Sequence, residues 1–310
     1  MGGSGKMLRQ ILGIRRCRSF RMNDHPVYQK LLKLREHHHR LTPERKLKSL
    51  EEAKAFVHEV GLATLTGGSG LPSIFQAIQG EPYKPGSRGF GTWPRDQWWW
   101  GGEIAKAEDI LSTKILDGKG VFISKRLWQT LDTIERYVLD ELEAERYEKY
   151  RTTSDSKSVL QYLKVNGPTR TDLLRQSLGY INPEQNRKFR LIKKQLESLG
   201  VILGREAELE THLHIDILSR WDQRFPNPLA PTPRVPRGHA FLLALEDLLY
   251  SSIQATVVVP ERVAAKWFRW SQEEQRTALQ RLLQTDRVTR LALRGEEMLA
   301  ADSWISKVKR

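Results

Sequence analysis

The chain carries a single cysteine, Cys17, in 310 residues. A lone thiol forms no internal disulfide and anchors no thiolate zinc site, so a reducing, cytoplasmic setting is expected. Long apolar runs are missing too. No stretch approaches the ~20 residues that span a bilayer, and the start has no apolar secretory core, so neither membrane insertion nor export is expected. Acidic residues are in deficit: 37 Asp+Glu against 51 Lys+Arg leave a net charge of +14. Such an excess favours a polyanionic partner, and nucleic acid ranks ahead of anionic membrane because no basic amphipathic anchor stands out.

Signatures of cofactor chemistry are scarce as well. The opening MGGSGK imitates a phosphate loop, but no strand precedes it, its spacing is wrong, and Met7 stands where Ser or Thr belongs. There is no nucleophile elbow and no Ser/His/Asp set. His37, His38 and His39 are adjacent, with Cys17 and His25 upstream; adjacent side chains converge poorly on one ion, and no carboxylate completes a site. His212 and His214 share one face of a strand and lack a third ligand. Neither a metal nor a cofactor is expected.

What is present is a series of helix and hairpin signals. Residues 1–46 form a basic arm, in which Arg15, Arg16 and Arg18 are candidate phosphate contacts. Residues 47–150 read as a first globular part. SLEEAKAFVHEVG is a Ser-capped helix that stops at Gly61, GLATLT alternates as a strand, and LPSIFQAIQG is a short helix. A loop rich in Gly, Pro and Trp follows, then EIAKAEDILSTKIL as a helix and VFIS as a strand. A long helix lines up Leu127, Leu131, Ile134, Val138 and Leu142 on one side.

Residues 151–225 are the most legible part: three helices and then a two-stranded hairpin, the order of a winged helix-turn-helix. Its third helix, 182–199, has Asn182 as cap and Pro183 in the first helical position. Phe189, Ile192, Leu196 and Leu199 form an apolar stripe. Arg187, Arg190 and Lys194 fall opposite, with Lys188 and Lys193 flanking, and are candidate DNA contacts. The wing carries Glu206, Glu208 and Glu210 and would be repelled by phosphate. After a proline-rich linker, 226–237, the order recurs in 238–310, where Arg290 and Arg294 share one hairpin face. The first part reads as a degenerate further copy. The expected fold is mainly α with short β-hairpins (α+β), arranged as tandem winged helix-turn-helix domains.

The run VGLATL…LPSIFQAIQG…WWWGGEIAKAEDILSTKILDGKGVFIS ahead of the legible winged helix resembles the AlkZ/YcaQ superfamily of crosslink-repair DNA glycosylases, and its AlkZ-related branch in particular. The likeness covers about residues 49–300, through the LPS turn, the Trp-rich loop and the Lys114 segment leading into VFIS. In those glycosylases a short strand presents two polar residues, one apolar residue apart, that position a water as the glycosidic bond breaks. The resemblance implies that Thr64 and Thr66 occupy those catalytic positions. Threonine keeps a hydroxyl but is shorter, uncharged and no base at neutral pH. Gln76, Gln79, Asp96 and Glu103 are the other polar groups nearby in sequence. Among the tryptophans 93 and 98–100, Trp98, Trp99 and Trp100 are base-stacking candidates.

Three functions follow as expectations. The first is a duplex DNA-binding protein related to alkylation- and crosslink-repair glycosylases, recognising damage or distorted structure, and nucleoid-associated in a bacterial cell. The second is an active glycosylase that hydrolyses the N-glycosidic bond of bulky alkylated purines. The third is a winged-helix scaffold for protein partners.

Overall fold

The computed structural model describes residues 25–82, 99–208, 214–229, 235–293 and 295–310. The arm positions Arg15, Arg16 and Arg18, with Cys17, lie outside the described residues, as do Trp93, Asp96, Trp98, Glu210, His212 and Arg294.

One helix, α1 (His25–His38), precedes three units that share a single element order. The first runs α2 (Leu50–Val60), β1 (Leu62–Thr64), α3 (Ile74–Gln79), α4 (Trp100–Ala105), β2 (Ile110–Leu116) and β3 (Lys119–Ser124). A connecting helix, α5 (Trp128–Glu143), leads to the second: α6 (Asp155–Asn166), β4 (Thr169–Arg170), α7 (Thr171–Ser177), α8 (Pro183–Ser198), β5 (Ile202–Glu208) and β6 (His214–Arg220). A single turn, α9 (Trp221–Arg224), then precedes the third: α10 (Arg237–Thr256), β7 (Val259–Pro260), α11 (Glu261–Ala264), α12 (Gln272–Gln284), β8 (Val288–Leu293) and β9 (Glu296–Ala301). The helix α13 (Asp302–Lys309) ends the chain. In each unit the short first strand lies beside the last, and the middle strand pairs on its other side, antiparallel throughout. The protein is therefore α+β, with small antiparallel sheets among more numerous helices.

EIAKAEDILSTKIL is not one helix: only its start belongs to α4, and Ile110–Leu116 is a strand that carries Lys114. Ile110, Thr113 and Ile115 are β-branched and suit a pleated surface. Asp117 and Gly118, with φ of 49° and 77°, form the two-residue turn of a tight hairpin with β3.

One apolar cluster draws on all three units and on the buried face of α5, while α2, α3 and α4 pack a second cluster and α1 packs a third with β8, β9 and α13. Asp132, on α5 and almost fully buried, accepts hydrogen bonds from Trp221 Nε1 at 2.7 Å, Leu229 N at 2.8 Å and Arg136 Nε at 2.9 Å. The start of the proline-rich segment is thereby pinned to the connecting helix. One turn on, Glu135 is fully buried, and burial, with Asp132 beside it, pushes its carboxyl well above the usual range. It lies against Gly200, where a Cβ would stand 2.1 Å from Glu135 Oε1. With φ at +77° there as well, glycine is required at that helix end.

The segment between α11 and α12 joins all three units. Trp267 Nε1 donates to the Ser69 carbonyl of the first at 2.8 Å, and Trp270 Nε1 donates to the Leu199 carbonyl of the second at 3.2 Å. Phe268 bridges to Leu116, and Arg269 pairs with Asp117 at 2.8 Å. The indole donors of Trp267 and Trp270 satisfy carbonyls at chain bends, where no ladder partner exists.

α1 packs on the third unit rather than standing free. Lys30 Nζ donates to the Val308 carbonyl at 3.1 Å, and His39 Nε2 contacts the Ala255 carbonyl at 2.9 Å. His38 packs tilted against Trp304, with ring centroids 5.0 Å apart and planes at 59°. Burial depresses His38 to about 4, against an opposing pull from Glu59, and Lys307, His37 and Arg45 add to the depression. Burial likewise holds His39 well below its ordinary value, aided by Arg35. Folding therefore excludes protons that the unfolded chain binds. Stability from this contact is complete above about pH 6.5, the ordinary histidine value, and is lost as the pH falls toward 4. The thermal midpoint is expected to drop across that window, and the double substitution His38→Phe, His39→Gln should flatten the drop. An unaltered pH slope would place the acid sensitivity elsewhere.

Candidate nucleic-acid interface

The α8 helix begins with a complete capping box. Asn182 Oδ1 accepts from Gln185 N at 2.9 Å, and Gln185 Oε1 accepts from Asn182 N at 3.3 Å. Phe189, Ile192 and Leu196 are buried beneath it, as is Leu199 just beyond its end. Arg187, Arg190 and Lys194 lie on the opposite face, exposed, and form no ion pair among the described residues. Leu191, 58% exposed, sits among them, four residues after Arg187 and three before Lys194. Sequence reading missed it, because an apolar residue outside the seating stripe carries no periodic signal.

The two flanking lysines behave differently. Lys188 remains exposed but pairs with Asp155 of α6 at 2.9 Å. Lys193 departs from the expected exposed cluster: its amine is held by Asp216 of β6 and lies 3.8 Å from Glu197. Burial opposes ionisation of Asp216, yet Lys193, with Lys114 behind it, outweighs burial and holds the carboxyl below its ordinary range. Lys114 Nζ also meets the buried Glu197 at 2.9 Å, across the seam between β2 and α8. Lys193 is thus occupied in neutralising carboxylates inside the protein.

The proposed catalytic strand is shorter than its alternation suggests. β1 ends at Thr64, and the two threonine hydroxyls do not share a face. Thr64 is 1% exposed, and its Oγ1 donates to the Pro72 carbonyl at 3.1 Å. Thr66 lies beyond the strand, exposed, in a bend. Leu65 N still donates to the Gly120 carbonyl at 3.3 Å, in register with β3, and the ladder ends there, where the Leu65 carbonyl accepts from Ser73 Oγ and Phe75 N instead. Ser73 also caps α3. Of the alternative polar groups, Gln76 comes closest to this bend: its Oε1 would lie 3.0 Å from a Cβ placed on Gly67. Gln79 is half-buried on α3, and Glu103 pairs with Lys106 at 2.6 Å.

The tryptophans separate by burial. Trp100 is only 7% exposed and belongs to the core, so it cannot stack on a base; Trp99 is 48% exposed and meets it edge-on, with centroids 6.4 Å apart. Leu65 packs against Gly101, which brings the start of α4 to the same bend. Arg290 is tied to Glu261 by two hydrogen bonds of 2.6 and 2.8 Å. Among the described residues no group of three or more His, Cys, Asp or Glu side chains could hold a metal ion, and no helix is long and apolar enough to cross a membrane.

Comparison with known proteins gives two matches. The family model described as AlkZ related matches residues 47–212. Among solved structures, the Streptomyces sahachiroi DNA glycosylase AlkZ is similar in fold, with a TM-score of 0.52 at 10% identity, over 91% of this chain and 71% of that one. No curated protein matches.

Proposed function

Because the chain belongs to the AlkZ-related family, we propose that it is a duplex DNA-binding relative of repair glycosylases, built of tandem winged helices and recognising damaged or distorted DNA. The repeated helix–strand–helix–helix–hairpin order supports winged helices, in which the third helix of a unit enters a groove. The proposed boundaries are 47–150, 151–225 and 238–310, with residues 226–237 as linker. The observation that carries the reading is the exposed trio Arg187, Arg190 and Lys194 on one such helix, on the side opposite its seating stripe. Duplex phosphates supply the charge that these side chains lack within the protein. The arm arginines Arg15, Arg16 and Arg18 would add contacts, and Trp99 would stack on an unpaired base.

A second reading, the active glycosylase, draws on the Thr66–Gly67 bend with Gln76 against it. An amide oxygen there would stabilise an oxocarbenium-like sugar. Thr64 supplies no such group, since its hydroxyl is buried and donates to a carbonyl. The experiment is binding to plain, abasic and N7-alkylguanine duplexes, with base release followed in the same samples. The expected outcome is tighter binding to the damaged duplexes without release above the spontaneous rate. Release that is lost in a Thr66→Ala, Gln76→Ala variant with an unchanged thermal midpoint would establish the glycosylase instead. Failure to bind any duplex would overturn both readings and favour a protein partner.

A further inference from the structure

We propose that the turn between β2 and β3 is a second DNA contact, with Lys119 as its phosphate-binding residue, and that it joins the α8 face to the glycine-rich bend after β1. The proposal rests on the duplex-binding reading and adds a path for one strand. Three observations place that path.

The α8 face and the turn touch. A Cβ on Gly118 would stand 2.7 Å from Lys194 Cε and 3.2 Å from its Cγ, so the lysine stem lies directly over the turn. The turn also reaches the bend on its other side: Lys119 is exposed, and its Nζ lies 4.0 Å from where a Cβ on Gly68 would be. The acid at this turn does not oppose a phosphate. Asp117 is paired with Arg269 at 2.8 Å, while Glu197, on the same helix as Lys194 but turned inward, is buried and meets Lys114 at 2.9 Å.

The result is a run of positive charge from Arg187 through Arg190 and Lys194 to Lys119, ending at Gly67 and Gly68. Gly120 next to Lys119 is exposed with nothing near its Cα face, so a sugar-phosphate backbone can approach closely. Side chains spaced along one strand in this way fix the register of a duplex without reading its sequence. They would also deliver that strand to the bend where Thr66 and Gln76 lie.

The test uses the full chain and a plain duplex across a salt series. Lys119→Gln is expected to make the slope of log affinity against log salt shallower by about 0.9, and to weaken binding about eightfold near 0.1 M salt. Combined with Lys194→Gln, the two slope changes should add, because each residue meets its own phosphate. The thermal midpoint should be unchanged, since Lys119 packs against nothing that folding needs. If Lys119→Gln binds as the parent does while Arg187→Gln, Arg190→Gln weakens binding, the path across the turn is wrong and the α8 contact stands. If the parent itself does not bind duplex, both fail.

Discussion

The triple variant Arg187→Gln, Arg190→Gln, Lys194→Gln is expected to bind plain duplex about 500-fold more weakly than the parent near 0.1 M salt. Each phosphate neutralised releases about 0.9 of a counterion, so three lost contacts remove about 2.7 from the salt slope, which is the stated factor at that concentration. The fold should be indifferent. The three side chains are exposed and unpaired among the described residues, and the stripe that seats the helix lies on its other side. Lys193→Gln is the informative contrast. Its amine neutralises Asp216 and approaches the buried Glu197, so the loss should appear in stability before it appears in binding. Fluorescence anisotropy and thermal unfolding of both variants separate the two effects. An undiminished affinity in the triple variant would move the contact off α8.

The second large effect is expected at Trp270. Truncation to alanine should destabilise the protein by about 3–5 kcal/mol, the range for a buried tryptophan. The ring is stacked on Phe268 at 4.7 Å, and its indole N–H satisfies the Leu199 carbonyl just beyond α8. Trp270→Phe keeps most of the packing and forfeits the donor, which should cost about 1–3 kcal/mol for the carbonyl left unsatisfied. Denaturant midpoints measure both. The same truncation loosens the end of α8 and should weaken duplex binding, whereas Trp267→Phe removes only the donor to the Ser69 carbonyl in the first unit. Equal midpoints for Trp270→Ala and Trp270→Phe would show that the stacked ring contributes little to the seam.

The second unit was legible because its signals are local. Asn182, Pro183 and Gln185 announce a helix start, and an apolar stripe set against a basic face announces its orientation. The strand Ile110–Leu116 was misread as helix although its Asp-Gly turn was in plain view; the apolar run fits both periods, and the turn should have decided. Thr64 and Thr66 looked equivalent by alternation. Alternation assumes that a strand continues, and here the strand ends after three residues, with the next carbonyl, that of Leu65, taken by Ser73 and Phe75. Lys193 and Lys119 show the complementary limit. Whether a lysine on a basic stretch is spent on an internal carboxylate or left for a ligand depends on residues 23 positions or more away, as with Lys193 and Asp216. The seam made by Trp267, Phe268 and Trp270 is likewise non-local, since its partners lie up to 198 residues distant.

The central claim is that duplex phosphates are met by the exposed cations of α8 and the adjoining turn. The salt dependence of parent binding to a plain duplex measures it most directly. Four contacts, from Arg187, Arg190, Lys194 and Lys119, predict a slope of log affinity against log salt of about −3.6, or steeper with the arm engaged. A slope near zero, or no binding at low salt, would contradict it.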